Sequence, residues 1–141
     1  MAQNNKQATK ATNKMTNLTN TNNQDYRGRD LEERTFRFAK GVASFCKKLP
    51  KNLSNIEYIK QVIRSSGSTG SNFIEANDSL GKKDFLMRIR IYRKEAKESG
   101  YWLRLIIEAN DNEFKQEGQK LYNETTELRS IFSVIIEKAR Q

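Results

Sequence analysis

The chain has no histidine, one cysteine (Cys46), one proline (Pro50) and no long apolar run. Each scarcity excludes something. Without histidine, acid–base chemistry loses its commonest residue, and a di-iron bundle loses the Glu-x-x-His pairs it requires. One cysteine cannot form an intramolecular disulfide, and with no histidine beside it a zinc site lacks ligands. No segment is apolar for long enough to span a bilayer. The N-terminus lacks the apolar stretch of a secretory signal. The expectation is a cytoplasmic protein with no membrane association, no metal and no cofactor. No nucleophile is paired with a base, so an enzyme is not expected. Gly67 to Ser71 lacks the Gly-Lys-Ser/Thr ending of a phosphate-binding loop.

What is present is charge and helical periodicity. The 141 residues carry a formal net charge of +9, with a pI near 9.7. That balance favours an anionic partner, whether nucleic acid, an acidic membrane surface or an acidic protein. Residues 1–29 are rich in Asn, Thr, Gln and Lys, carry a net +4, and are expected to be a disordered tail. The tail reads either as a solvating segment or as a basic arm that settles on a phosphate backbone. Residues 30–141 are then a single helical domain.

Four amphipathic segments follow. In the first, Leu31, Thr35, Phe38, Val42, Phe45 and Leu49 step by four and three, which is a bundle seam. Asp30 with Glu33 has the spacing of a capping box, so this helix is expected to start at Asp30. Cys46 lies beside the seam with no activating partner, and reads as a packed thiol. Leu49-Pro50 ends the helix. Ser54 with Glu57 has the spacing of the next capping box, placing the second helix from about Asn55 to Asp78 or Leu80. The third runs from about Lys82 to Ala109 along Phe85, Ile89, Tyr92, Ala96, Ser99, Leu103 and Ile106. The fourth carries Phe114, Gly118, Leu121, Thr125, Leu128, Phe132, Ile135 and Ala139. Short links between them give an all-α, antiparallel up-down-up-down four-helix bundle.

The stretch Arg64 to Ala76, RSSGSTGSNFIEA, is the centre of the pattern. Ser65 to Ser71 alone looks like a Gly/Ser linker. Its flanks, Ile56, Ile59 and Ile63 before and Phe73, Ala76 and Leu80 after, share one helical phase, so it reads as a helix with a belt of small residues. Bridging the phase puts Ser66 and Gly70 inward, where another backbone can come close. Arg64, Ser68, Asn72 and Glu75 share the polar face, with Glu95 and Glu98 on the third helix as partners across a helix pair. They read as a polar network that fixes register, or as a contact for a ligand or subunit.

The third helix concentrates the cations. Lys82 to Arg104 carries eight Lys/Arg against three acids. Arg90, Arg93, Lys97, Tyr101 and Arg104 form one stripe, while Asp84 and Glu98 have the spacing to pair within the helix with Arg88 and Lys94. Cations with an aromatic can hold phosphates and stack a base. The same stripe reads equally as a solvated face or as a subunit interface against the acidic outside of the fourth helix.

Four segments also carry a family resemblance. Arg64-Ser65, Ser68, Gly70, Asn72 and Glu75-Ala76 match the helix-two signature of the bacterial four-helix bundle proteins, also known as S23 or 23S rRNA intervening-sequence proteins. Asp30-Leu31-Glu32-Glu33-Arg34-Thr35 with Phe38-Ala39 resembles the opening helix. Lys83-Asp84-Phe85, Glu95-Ala96, Glu98 and Tyr101-Trp102-Leu103 resemble helix three, and Glu124 with Glu127-Leu128 resembles helix four. Thr69, where a branched apolar residue is usual, and the extra Gly67 depart from the pattern. The resemblance implies a homopentameric ring with a basic channel. It also implies kinship with the accessory protein of diversity-generating retroelements, which binds nucleic acid and contacts a reverse transcriptase. The function expected from it is non-enzymatic nucleic-acid binding, with RNA favoured. The alternative is an oligomeric scaffold for a protein partner.

Overall fold

Four helices run in chain order: α1 (Thr21–Lys48), α2 (Leu53–Asn77), α3 (Lys82–Ala109) and α4 (Lys115–Ala139). A short 3-10 turn, Asn112–Phe114, leads into α4. The computed structural model describes the backbone of residues 21–77 and 81–140 and the side chains of residues 30–71 and 81–140. The bundle is antiparallel throughout. Asn55 at the start of α2 meets Asn110 just past the end of α3, and Lys48 at the end of α1 meets Glu117 at the start of α4, with Arg34 further back in α1 meeting Glu124 further on in α4. Helix α3 is central, packing extensively against α2 on one side and α4 on the other, while α1 leans mainly on α2.

The seams expected for the first, third and fourth helices are the core. Leu31, Thr35, Phe38, Val42, Phe45 and Leu49 are buried along α1, and Ile89, Tyr92, Ala96, Ser99, Leu103 and Ile106 along α3. Leu128, Phe132, Ile135 and Ala139 close the core from α4. Cys46 is packed among them, and burial pushes its thiol up to about 11. It is a core residue rather than a nucleophile.

Helix α2 differs from its expected phase. Ile56 and Ile63 face outward, and the buried face is Asn55, Val62, Ser65, Ser66 and Thr69. The rotation follows from close packing. Small hydroxyl residues let α2 approach its neighbours, and their hydroxyls are satisfied locally: Thr69 Oγ1 donates to the Ser65 carbonyl at 3.1 Å. Ser65 and Ser99 share a hydrogen bond of 2.8 Å across to α3. A Cβ on Gly70 would lie 3.2 Å from Thr35 Oγ1, so the expected close approach is there, and its neighbour is α1. Gly67 faces open space. Phe73, Ala76 and Leu80 lie outside the described side chains.

Two helix starts also differ. The backbone of α1 is helical from Thr21, and its first turn holds no acid. Asp30 is therefore inside the helix and caps nothing. Once a helix is nucleated, adding residues at its end costs little, even through poor helix formers such as Asn22, Asn23 and Gly28. The expected boundary at residue 29 thus falls within α1, and residues 1–20 lie outside the described chain. At α2 the capping side chain is Asn52, not Ser54: its Oδ1 accepts the Asn55 amide at 2.9 Å. Lys51 closes the other side of this link, donating to the carbonyls of Cys46 and Leu49 at the end of α1.

The α3–α4 seam is close-packed at two glycines. A Cβ on Gly118 would lie 2.7 Å from Ile107 Cγ1 and 3.2 Å from Phe45 Cζ, and one on Gly100 would lie 2.8 Å from Thr125 Oγ1. Both glycines are there because a neighbouring side chain occupies the space. No helix among the described residues is long and apolar enough to cross a membrane.

Candidate nucleic-acid interface

Tight packing of α3 on α4 leaves a shallow trough along their outer edge. It encloses about 860 Å³ and is lined by Arg90, Arg93, Lys94 and Lys97 from α3 and by Thr126, Arg129, Ser130, Ser133 and the apolar Val134 from α4. Five cations line it and no acid does, among the described residues. Spacing of three and four on α3 brings its cations to one wall. Arg129, next to the buried Leu128, supplies the other wall. Arg93 reaches across and donates to Ser133 Oγ at 3.3 Å. Arg93 and Arg129 are half-buried, whereas Arg90, Lys94 and Lys97 stand on the exposed rim.

Of the expected stripe, Arg90, Arg93 and Lys97 line this trough, and Tyr101 and Arg104 do not. Tyr101 is 58% exposed and rests edge-on against Trp102, ring centroids 5.1 Å apart at 80°. Arg104 is exposed. Sequence reasoning missed Arg129. Reading the outside of the fourth helix as acidic hides one cation on the edge facing α3, although Lys115–Ala139 carries four cations and four acids. Lys94 was expected to pair with Glu98, but Glu98 bonds Arg64 instead.

The polar network lies on the opposite flank of α3. Arg64 reaches Glu95 at 3.3 Å and Glu98 at 2.9 Å, with Glu95 largely buried. These bonds, chiefly that to Glu98, hold the Arg64 guanidinium pKa above its ordinary value. Ser68 is half-buried on the same helix, and the side chains of Asn72 and Glu75 lie outside the described set. The Ser65–Ser99 bond was not foreseen. Neither was a second inter-helix fork, in which Arg34 Nε and Nη2 donate to the two Glu124 oxygens at 2.8 Å each. Both partners lie in segments that carry the resemblance, but only the antiparallel α1–α4 pairing joins them.

Comparison with known proteins adds the family. A crystal structure from the S23 ribosomal protein family of Bacteroides thetaiotaomicron, a protein with unknown function, aligns with a TM-score of 0.68 at 28% identity. The alignment covers 78% of this chain and 97% of that one. No curated protein matches the sequence. The family description "23S rRNA-intervening sequence protein" matches residues 29–133, nearly the whole bundle. With four helices in the expected order and that match across them, the chain belongs to the 23S rRNA-intervening sequence protein family.

Proposed function

We propose that this protein is a non-enzymatic nucleic-acid-binding bundle that acts as a homo-oligomer, with RNA as its ligand. One observation supports it above the others: the trough between α3 and α4, in which five cations meet no acid. Unneutralised cations at this density repel one another, and a polyanion relieves that repulsion while releasing its own counterions. The three hydroxyls on the α4 wall add hydrogen-bonding partners for phosphate and sugar oxygens. The sequence resemblance favours a pentamer and makes a reverse transcriptase a partner to test.

The experiment is a solution mass with and without RNA, together with binding measured across salt. The expected result is an oligomer whose RNA affinity falls by about 0.7–0.9 in log K per log salt for each phosphate held. A monomer that binds no RNA at low salt overturns the reading. A second reading, a scaffold for a protein partner, is favoured by Met87 and Ile91. They are 51% and 38% exposed in a groove rimmed by Lys83, Arg90 and Lys94. It takes precedence if RNA binding is absent.

A further inference from the structure

We infer that the α3–α4 trough takes a single RNA strand rather than a duplex, with bases stacking on Tyr101 and Tyr122 at one end. This rests on the nucleic-acid reading above and specifies its ligand.

The first argument is width. Packed helices lie about 8–10 Å apart, so a trough between two of them is about one polynucleotide backbone wide. Arg93 and Arg129 are half-buried. A strand lying in the trough reaches them. A duplex, far wider and presenting its shallow minor groove, rests on the rim formed by Arg90, Lys94 and Lys97. Two of the five cations would then go unused.

The second argument is what lies past the cations. Lys97 and Thr126 both line the trough, one on each wall. One turn further along α3 from Lys97 is Tyr101. One turn back along α4 from Thr126 is Tyr122. Because the helices are antiparallel, both steps go the same way, and the two tyrosines stand at the same end. Contact confirms the level: a Cβ on Gly100 would lie 3.6 Å from Tyr122 Cε2. Tyr101 is exposed and braced by Trp102, and Tyr122 is half-buried. From Arg90 to Tyr101 the distance along α3 is about 16 Å, at 1.5 Å per residue. Cations along a backbone-wide trough ending in aromatic rings are how single strands are held without sequence preference, since every base has a face to stack. A paired base has no face free for them.

The test compares a fluorescent oligouridine with an RNA duplex of equal length, by anisotropy, across about 50–200 mM salt. The single strand is expected to bind at least about tenfold more tightly. Tyr101→Ala is expected to weaken the strand about fivefold or more and to leave the duplex unchanged, while Tyr101→Phe keeps the affinity. Tyr122→Ala should do the same. Tyr101→Ala decides the matter even if the half-buried Tyr122 is needed for folding, because Tyr101 is exposed. Equal affinity for strand and duplex, or strand binding indifferent to Tyr101→Ala, overturns this inference and leaves the nucleic-acid reading standing. Failure of both RNAs to bind at low salt overturns both readings.

Discussion

The two flanks of α3 carry opposite solutions to the same problem. Toward α2, a carboxylate pair on α3, Glu95 and Glu98, meets Arg64, which bridges both and offsets part of their charge within the fold. Toward α4, Arg90, Arg93, Lys94 and Lys97 meet hydroxyls and another arginine, and no acid among the described residues lines the trough to cancel them. Glu95 and Glu98 stand toward one neighbour of α3, and Arg90, Arg93, Lys94 and Lys97 toward the other. A fold gains little from surface charge, and less from like charges brought together. The α2 flank is thus explained by architecture, and the α4 flank is not. An uncancelled flank is where a partner of opposite charge belongs.

The largest predicted effect breaks the seam beneath the basic flank. Gly118→Leu puts a side chain where Ile107 and Phe45 already sit, and should cost about 3 kcal/mol as overpacking. Urea unfolding measures it. A loss under about 0.5 kcal/mol would show that α3 and α4 are not as tightly joined as described.

Next comes the interior, a reference against which both flanks can be judged. The Cys46 thiol titrates at about 11 when folded, against 9.0 as its ordinary value. A raised thiol pKa means that the unfolded chain loses its proton first. The contribution is therefore complete below about pH 9 and is lost as pH climbs towards 11, amounting to about 2–3 kcal/mol. Unfolding of the native protein and of Cys46→Ala, compared at mildly and strongly alkaline pH, isolates it. The variant should show a shallower decline.

The third prediction sharpens the contrast itself. Charge reversal of Arg93 and Arg129 together should reduce the salt slope of RNA binding by about 1.4, two contacts' worth, equally for all sequences. Arg64→Met, which removes one positive charge on the other flank, should leave that slope alone. Its effect is the smallest, about 1 kcal/mol of stability or less, because Arg64 is 52% exposed and its pairs are screened by water. If Arg64→Met lowers the slope as much as a trough variant does, the flanks are not functionally distinct.

How much of this could be read beforehand depended on whether a residue announces its neighbour. Three seams were legible because large apolar residues at spacings of three and four have one stable place, the core. The breaks at Leu49-Pro50, Gly81 and Asn110 to Asn112 were legible because helices stop at such residues. The phase of α2 was not, because greasy residues dominate any periodicity. There Ile56 and Ile63 are outside, while Ser65, Ser66 and Thr69 fill a seam too narrow for them. The basic stripe was half legible. Arg90, Arg93 and Lys97 follow from one helix's geometry, but Arg129 and Tyr122 join only through the pairing of two helices. The bond from Arg64 to Glu98 was foreseen as a network, and it cost Lys94 its expected partner.

Asn55 and Asn110 make a last point about how such a chain can change over generations. Each amide donates to the other's oxygen, at 2.8 and 2.9 Å, and each is also tied to a carbonyl, Pro50 for one and Ile106 for the other. Asn55 is wholly buried. Replacing either one alone strands the other's donor or acceptor, at a cost of about 1–3 kcal/mol, while replacing both by apolar residues of similar shape can be nearly neutral. A lineage drifting one substitution at a time therefore meets a barrier between two acceptable endpoints. Relatives should carry a matched pair at these positions, and intermediates should be scarce.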